Sequence, residues 1–388
     1  MFLFIKEILV VGISVVIALL VATGIVPESA VAPDVAPPAV VTEERQPQET
    51  KEESQATTTE RVSESNVEQP VVEVKEKKPL IDDFEKSLQE ALDALAKIEA
   101  ERAASQGSHA DLNNTVRDAV VNILCTTAGA GPLSPISASG VIIDSRGVIV
   151  TNAHVAQYFL LKHYPIQNFI ECTIRTGSPA KPTYTAELLF LPPSWITKNA
   201  HKIDDERPTG NGEHDYALLQ ITGVVGSGDS LPQRFHHLSI STQAPEIGDT
   251  VLLAGYPAGF LGGATIQKEL YAASANVKVQ ELYTYERNTV DLFSINGSIV
   301  SQQGSSGGAA AQENGALTGV IVTSSDAPDT ASRELRALST GYIIRDFEKE
   351  RGVSLATYLS RDLNQERVLF QLNTAPTLSA ALISVLEQ

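Results

Sequence analysis

Two cysteines, Cys125 and Cys172, are all that the 388 residues contain, and no Cys-x-x-Cys pair or Cys/His cluster occurs. That excludes a disulfide-built scaffold and offers no zinc-ligand pattern, so no metal or organic cofactor is expected. The pair itself has two readings: two buried small apolar side chains, or one disulfide in an oxidising compartment. The first is preferred, because a sequence cannot place two alpha-carbons within bridging range. Aromatic residues are sparse at 6%, and no RNA-binding aromatic motif is present. Basic residues are outnumbered by acidic ones, 29 to 47, for a formal net charge of -18. Nucleic acid and anionic membrane surfaces repel a polyanion, so neither is expected as a main partner. No internal repeat is visible.

What is present begins with an apolar run from Ile8 to Val26, interrupted only by Ser14 and Thr23. That length can cross a bilayer core. Lys6 precedes the run and the next basic residue is Arg45, a bias that keeps the N-terminus inside. A cleaved signal peptide is the competing reading. The flank Pro27-Glu28-Ser29-Ala30 makes a poor small-x-small cleavage site, so residues 1–26 are read as a single-pass anchor. The rest of the chain is then extracytoplasmic at the cell membrane. Residues 27–79 are rich in Pro, Glu, Ser, Thr and Gln and cannot bury enough apolar area to offset chain entropy, so they are read as a disordered tether. Ile81, Phe84, Leu88, Ala91, Leu95 and Ile98 recur at spacings of three and four, an amphipathic or coiled-coil helix within 80–106. Self-association through residues 81–98 stays open.

From residue 114 to 350 short apolar runs alternate with Gly, Pro, Asn and Asp turns. Ala119–Cys125, Ser139–Ile143, Val148–Thr151, Ala217–Ile221, Thr250–Ala254 and Leu317–Val322 read as strands. Many short strands with turn signals predict an all-β sandwich or barrel. Residues 351–388, with Leu355, Leu359, Leu363, Val368, Leu378, Leu382 and Leu386, read as a C-terminal helical extension.

Three strings carry chemistry. In the first, a strand, a tight turn at Ser145-Arg146-Gly147 and a second strand lead to Thr151-Asn152-Ala153-His154-Val155. A histidine just past a strand end is pinned by rigid neighbours yet reaches a cleft. In the second, Asp215 immediately precedes the strand starting at Ala217, where it can be shielded enough to orient an imidazole. Asp204, Asp205 and Glu213 are rival acids in a polar surface loop. The third is Gly304-Ser305-Ser306-Gly307-Gly308. A nucleophilic serine needs an exposed hydroxyl and a backbone bent so that amide N–H groups converge, which flanking glycines permit.

The order His154, Asp215, Ser306 is that of the chymotrypsin/trypsin proteases, and the Thr-Asn-Ala-His-Val and Gly-x-Ser-Gly-Gly strings resemble the bacterial HtrA (Deg) type. Gly315–Ile321 resembles the strand after the nucleophile there, and Ile247–Pro257 resembles the Gly-x-Pro segment. The resemblance covers roughly Val116 to Phe347 and implies a double β-barrel of the chymotrypsin type. It implies a serine endopeptidase with an active site between barrels and protein or peptide substrates. It also implies an oxyanion hole from the N–H groups of Gly304 and Ser306, and a substrate pocket involving Val300, Ser301, Val320, Val322 and Ser324. None of those five is acidic, so small or medium apolar side chains are expected before the cut. The sequence departs from the family at Ser305, usually Asp or Asn, and at Ala309, usually Pro. It requires an insertion around Pro192–Gly212, and no PDZ-like domain follows. The alternatives are a catalytically inactive, protease-like binding module and a membrane-tethered scaffold.

The anchor reading has a direct consequence: the chain should fractionate with membranes, and protease added to intact spheroplasts should remove its folded part. Full-length protein in the soluble cytosol would refute it.

Overall fold

A computed structural model describes residues 110–388 except 206–209, 227, 260, 286–287, 296 and 325–334. The expected anchor, tether and helix over 80–106 lie outside the described residues. Twelve strands form two closed antiparallel barrels of six. The first contains β1 (Val120–Thr127), β2 (Ile136–Asp144), β3 (Val148–Thr151), β4 (Ile170–Thr176), β5 (Lys181–Phe190) and β6 (Ala217–Val224), hydrogen-bonded in the order β1-β2-β3-β6-β5-β4. The second contains β7 (Thr250–Gly255), β8 (Ala273–Tyr283), β9 (Leu292–Ile295), β10 (Ala309–Ala311), β11 (Leu317–Ser324) and β12 (Leu335–Ser339), in the order β10-β11-β12-β9-β8-β7. Closure leaves neither sheet with an unpaired edge. The expected all-β architecture of two barrels is therefore present.

The turn predicted at Ser145-Arg146-Gly147 joins β2 to β3. Gly147 has φ +82°, a left-handed conformation open to glycine, and its N–H donates to Asp144 O at 2.9 Å. Every residue of β3 is buried, which accounts for its unbroken apolar run. A helical stretch over 110–119 precedes β1, and among the described residues seven further α-helices decorate the barrels: α1 (Ala153–Leu160), α2 (Pro193–Asn199), α3 (Gly263–Lys268), α4 (Thr340–Arg351), α5 (Leu355–Ser360), α6 (Leu363–Asn373) and α7 (Ala375–Leu386). The C-terminal helices lie on the first barrel. Tyr358 Oη donates to Leu189 O at 3.0 Å, Gln371 Nε2 to Leu188 O at 3.0 Å and Ser379 Oγ to Leu160 O at 2.9 Å. Leu363, Phe370, Leu378 and Leu382 are buried there. Among the described residues no single helix is long and apolar enough to cross a membrane. The pair α6–α7, bent by 44°, is apolar enough together, and those four side chains are buried within the protein.

Cys125 and Cys172 stand directly opposite one another on β1 and β4 and form a disulfide, with alpha-carbons 4.0 Å apart. This corrects the preference for two buried thiols. The physical reason is strand register, which brings together positions 47 apart in sequence. Three residues along the same ladder, Asn122 faces Arg175, a fully buried arginine. Its Nη1 donates to Asn122 Oδ1 (3.2 Å) and Ile266 O (2.9 Å), and its Nη2 to Ala180 O (2.7 Å) and Gln267 O (2.9 Å). Burial pulls the guanidinium below its ordinary pKa. Two of its acceptors are carbonyls at the end of α3, where a positive charge is favoured by the helix dipole. Arg175 thus ties the β7–β8 connection of the second barrel to β4 of the first.

Closing a loop of this length is worth about 4 kcal/mol by chain entropy alone. Replacing both cysteines by serine is expected to lower unfolding free energy by about 2–4 kcal/mol, read from the denaturant midpoint. An unchanged midpoint would remove the disulfide from the stability of the first barrel.

Candidate active site

The pairing of β3 with β6 sets Thr151 opposite Ala217. His154, three residues past one strand end, therefore meets Asp215, two residues before the other. Asn152 carries the chain out of β3 in extended conformation and precedes α1, in which His154 is the second residue. Asn152 Nδ2 donates to Asp215 O at 2.9 Å. His154 N–H donates to Asp215 Oδ1 at 2.9 Å, and His154 Nδ1 lies 2.7 Å from Asp215 Oδ2. The carboxylate is held at two points, so it fixes both the helix start and the ring. The imidazole is 30% exposed and the acid 9%: the ring reaches the cleft while its partner is shielded. Burial pulls the His154 pKa down, and the charge and hydrogen bond of Asp215 more than offset it, leaving it above the ordinary value.

Ser306 is half-buried and sits in a loop built largely by backbone. Its carbonyl accepts from Ser139 N at 2.8 Å. Ser139, fully buried on β2, also donates Oγ to Gly304 O (2.8 Å) and accepts from Tyr256 N (2.9 Å). Its own carbonyl accepts from Thr151 Oγ1 at 2.7 Å. The next residue, Gly307, has φ +85°, and a Cβ there would lie 2.0 Å from Ser139 O and 2.4 Å from Thr151 Oγ1. No other residue fits. This loop packs against the end of the first barrel from which His154 departs. Ser306 Oγ has no hydrogen-bond partner among the described residues.

Gln302 to Ser305 form a tight turn, with Ser305 N–H donating to Gln302 O at 3.2 Å. Gly304 at its third position has φ +93°, as a type II turn demands. Gln303 O accepts from Ala258 N at 2.7 Å, which fixes the peptide plane between 303 and 304. The Gly304 N–H points to the opposite side of that plane. Neither it nor the Ser306 N–H is hydrogen-bonded among the described residues, so both remain available to an incoming oxygen.

The other candidates are distributed as follows. Asp204 and Asp205 are exposed, and Glu213 pairs with Lys198 at 2.9 Å, so none of these acids engages His154. Val300, Ser301 and Val320 are 0% exposed, and Val322 is 3% exposed. The Ser301 hydroxyl accepts from Ser298 N at 2.9 Å. Val322 lies against Gly212, in the turn before Asp215. The side chain of Ser324 lies outside the described residues. Sequence reasoning missed Ser139 and Ala258, since neither a strand serine nor a backbone donor leaves a chemical signature.

Residues 138–320 match the family model described as a trypsin-like peptidase domain. Among solved structures, the Rv3671c protease of M. tuberculosis in its active form is similar at 17% identity. The TM-score is 0.38, over 63% of this chain and 85% of that one. The serine endoprotease of Yersinia pestis is similar at 21% identity with a TM-score of 0.37, over 61% of this chain and 64% of that one. No curated protein matches the sequence.

The Asp215 contact fixes a sign. The His154 ring should titrate, by NMR, with a midpoint above the ordinary ~6.5, and Asp215→Asn should move that midpoint down. A midpoint that does not respond to Asp215→Asn would refute the pairing.

Proposed function

We propose that this chain is a trypsin-like serine endopeptidase, as the match of residues 138–320 to that domain supports, and that it works through His154, Asp215 and Ser306. The observation that carries this reading is the imidazole fastened to a shielded carboxylate at 2.7 Å. The loop that carries the half-buried Ser306 packs on Ser139 and Thr151, at the strand end that leads to His154, and among the described residues no backbone bond engages the N–H groups of Gly304 and Ser306. In this reading His154 takes the proton from Ser306 Oγ as that oxygen attacks a peptide carbonyl. It then returns the proton to the leaving amine. Asp215 holds the ring's orientation and stabilises the transient imidazolium. The N–H groups of Gly304 and Ser306 receive the developing oxyanion, each donor being worth about 3 kcal/mol in such sites. Because the base must be neutral, activity rises with pH, with a midpoint set by the raised pKa of His154.

The absence of an Oγ bond to His154 at rest favours a second reading, a protease-like module with an unengaged serine. Resting hydrogen bonds of this kind often tighten only when substrate binds. A fluorophosphonate probe decides between the two: labelling at Ser306 means a live nucleophile. For specificity, we propose small or medium apolar side chains before the cut, since Val300, Val320 and Val322 pack closed and bring no charge. The substrates proposed are unfolded or exported proteins met outside the membrane, with the N-terminal run as anchor.

The three residues should behave as one unit. Ser306→Ala or His154→Ala should each lower casein hydrolysis on the order of 10⁴–10⁶-fold, and the double variant should be little worse. Asp215→Asn should cost somewhat less, with nucleophile and base kept but misoriented. Glu213→Gln should change the rate by less than about tenfold, a barrier change of ~1.4 kcal/mol. If Glu213→Gln cripples the enzyme while Asp215→Asn leaves it active, the acid is wrongly assigned.

A further inference from the structure

One residue before Asp215, His214 holds φ +60°, a conformation uncommon for a residue with a side chain. Helix α4 holds it there. Its backbone N–H donates to Tyr342 Oη at 3.0 Å, and its ring Nδ1 lies 2.8 Å from Asp346 Oδ2. On the other side of the ring, Nε2 lies 3.1 Å from Lys198 Nζ and 3.5 Å from Glu213 Oε1. An ammonium offers only donors, so Nε2 is the acceptor there and Nδ1 is the nitrogen that faces the carboxylates.

One turn further along α4, Glu350 joins them: His214 Nδ1, a carboxylate oxygen of Asp346 and one of Glu350 lie within 4.8 Å of one another. Asp346 is 4% exposed at its side chain. Among the described residues no lysine or arginine pairs with Asp346 or Glu350. Two neighbouring carboxylates, one of them buried, lack a compensating cation, and buried charge is costly without one. A second observation points to the same place. Tyr216 is fully buried, and its hydroxyl approaches Asp346 without closing a hydrogen bond of good geometry among the described residues. Burial first, and then the charge and hydrogen bond of Asp346, hold its phenol well above the ordinary range.

We propose that His214, Asp346 and Glu350 form a site for a divalent transition-metal ion, of which Zn²⁺ is the type, with Tyr216 or a water completing it. One imidazole and two carboxylates suit such an ion better than Ca²⁺ or Mg²⁺, which take oxygen shells. Bonds of 2.0–2.2 Å require donor atoms about 3.4 Å apart: His214 Nδ1 and Asp346 Oδ2, now 2.8 Å apart, open slightly to admit the ion, and the half-buried Glu350 closes on it by turning about its side-chain bonds. Binding at Nδ1 shifts the ring proton to Nε2. Glu213 Oε1 stands there to accept it, giving the carboxylate–histidine–metal arrangement that supports such ligands, and Lys198 yields its contact with the ring. The ion touches no substrate. It fastens α4 to the turn that carries Asp215.

The test is calorimetric titration of Zn²⁺ into the full chain carrying Ser306→Ala, dialysed first against chelator. One saturable equivalent and a rise in melting temperature are expected. Glu350→Gln at its half-buried position should weaken binding tenfold or more, and His214→Gln should abolish it. Glu348→Gln, on the exposed side of α4, should leave it unchanged. No saturable binding, or binding indifferent to Glu350→Gln, overturns the proposal. The readout is binding, so it stands or falls apart from proteolysis.

Discussion

Ser139 joins the two barrels around Ser306. Its N–H holds Ser306 O, its hydroxyl bridges Tyr256 N and Gly304 O, and its carbonyl receives Thr151 Oγ1. All four bonds are buried, where each is stronger than in water and costly to leave unmade. Tyr256 follows β7, Gly304 precedes the nucleophile, and Thr151 ends the strand that leads to His154. A single residue of β2 therefore ties the first barrel, the second barrel and the Ser306 loop together. Gly307 is part of the same constraint, because the approach of Ser139 O leaves no room for a Cβ.

The base side of the cleft follows from a different constraint, the register of β3 on β6. Antiparallel pairing fixes which residues leave the two strand ends together, and here these are Asn152–His154 and Asp215. The turn before Asp215 has Gly212 at φ +84° and His214 at φ +60° and is closed by Asp215 N on Gly212 O at 3.1 Å. It is also held from outside by Tyr342 and Asp346 of α4. The placing of Asp215 therefore draws on a helix that lies beyond both barrels in sequence.

This explains what was legible in the sequence. β3 was read to its exact ends because it is buried on both faces and bounded by a glycine turn and a helix start. The residues of the candidate triad were named because their neighbours impose unusual backbone demands that leave a local imprint. β10, three alanines long, shows no alternation, and β8 is mostly half-exposed or exposed, so neither stood out. The disulfide and the Asn122–Arg175 pair arise from the β1–β4 ladder, and the Asp346–His214 contact spans 132 positions. Such contacts are properties of register and packing, which no window of sequence contains.

Ser305 is where the chain departs most from the family it resembles, and its surroundings show what replaces the missing side chain. It is fully buried and its hydroxyl has no hydrogen-bond partner among the described residues, so it is not what holds the 302–305 turn. A charged or amide side chain at this position could brace the turn through a partner; a serine without one cannot. The bracing here comes from main chain and from the Ser139 hydroxyl. Ser305 N closes the turn onto Gln302 O, and Ala258 N takes Gln303 O, while Ser139 Oγ takes Gly304 O. With the carbonyls of 303 and 304 both committed, turning over the peptide between them would break the 2.7 Å bond to Ala258 and strand a buried donor. Ala258 is in turn positioned by the segment leading to α3, whose end is clamped by the buried Arg175. The orientation of the Gly304 N–H is thus maintained by the contact between barrels, not by any ionisable group beside Ser306.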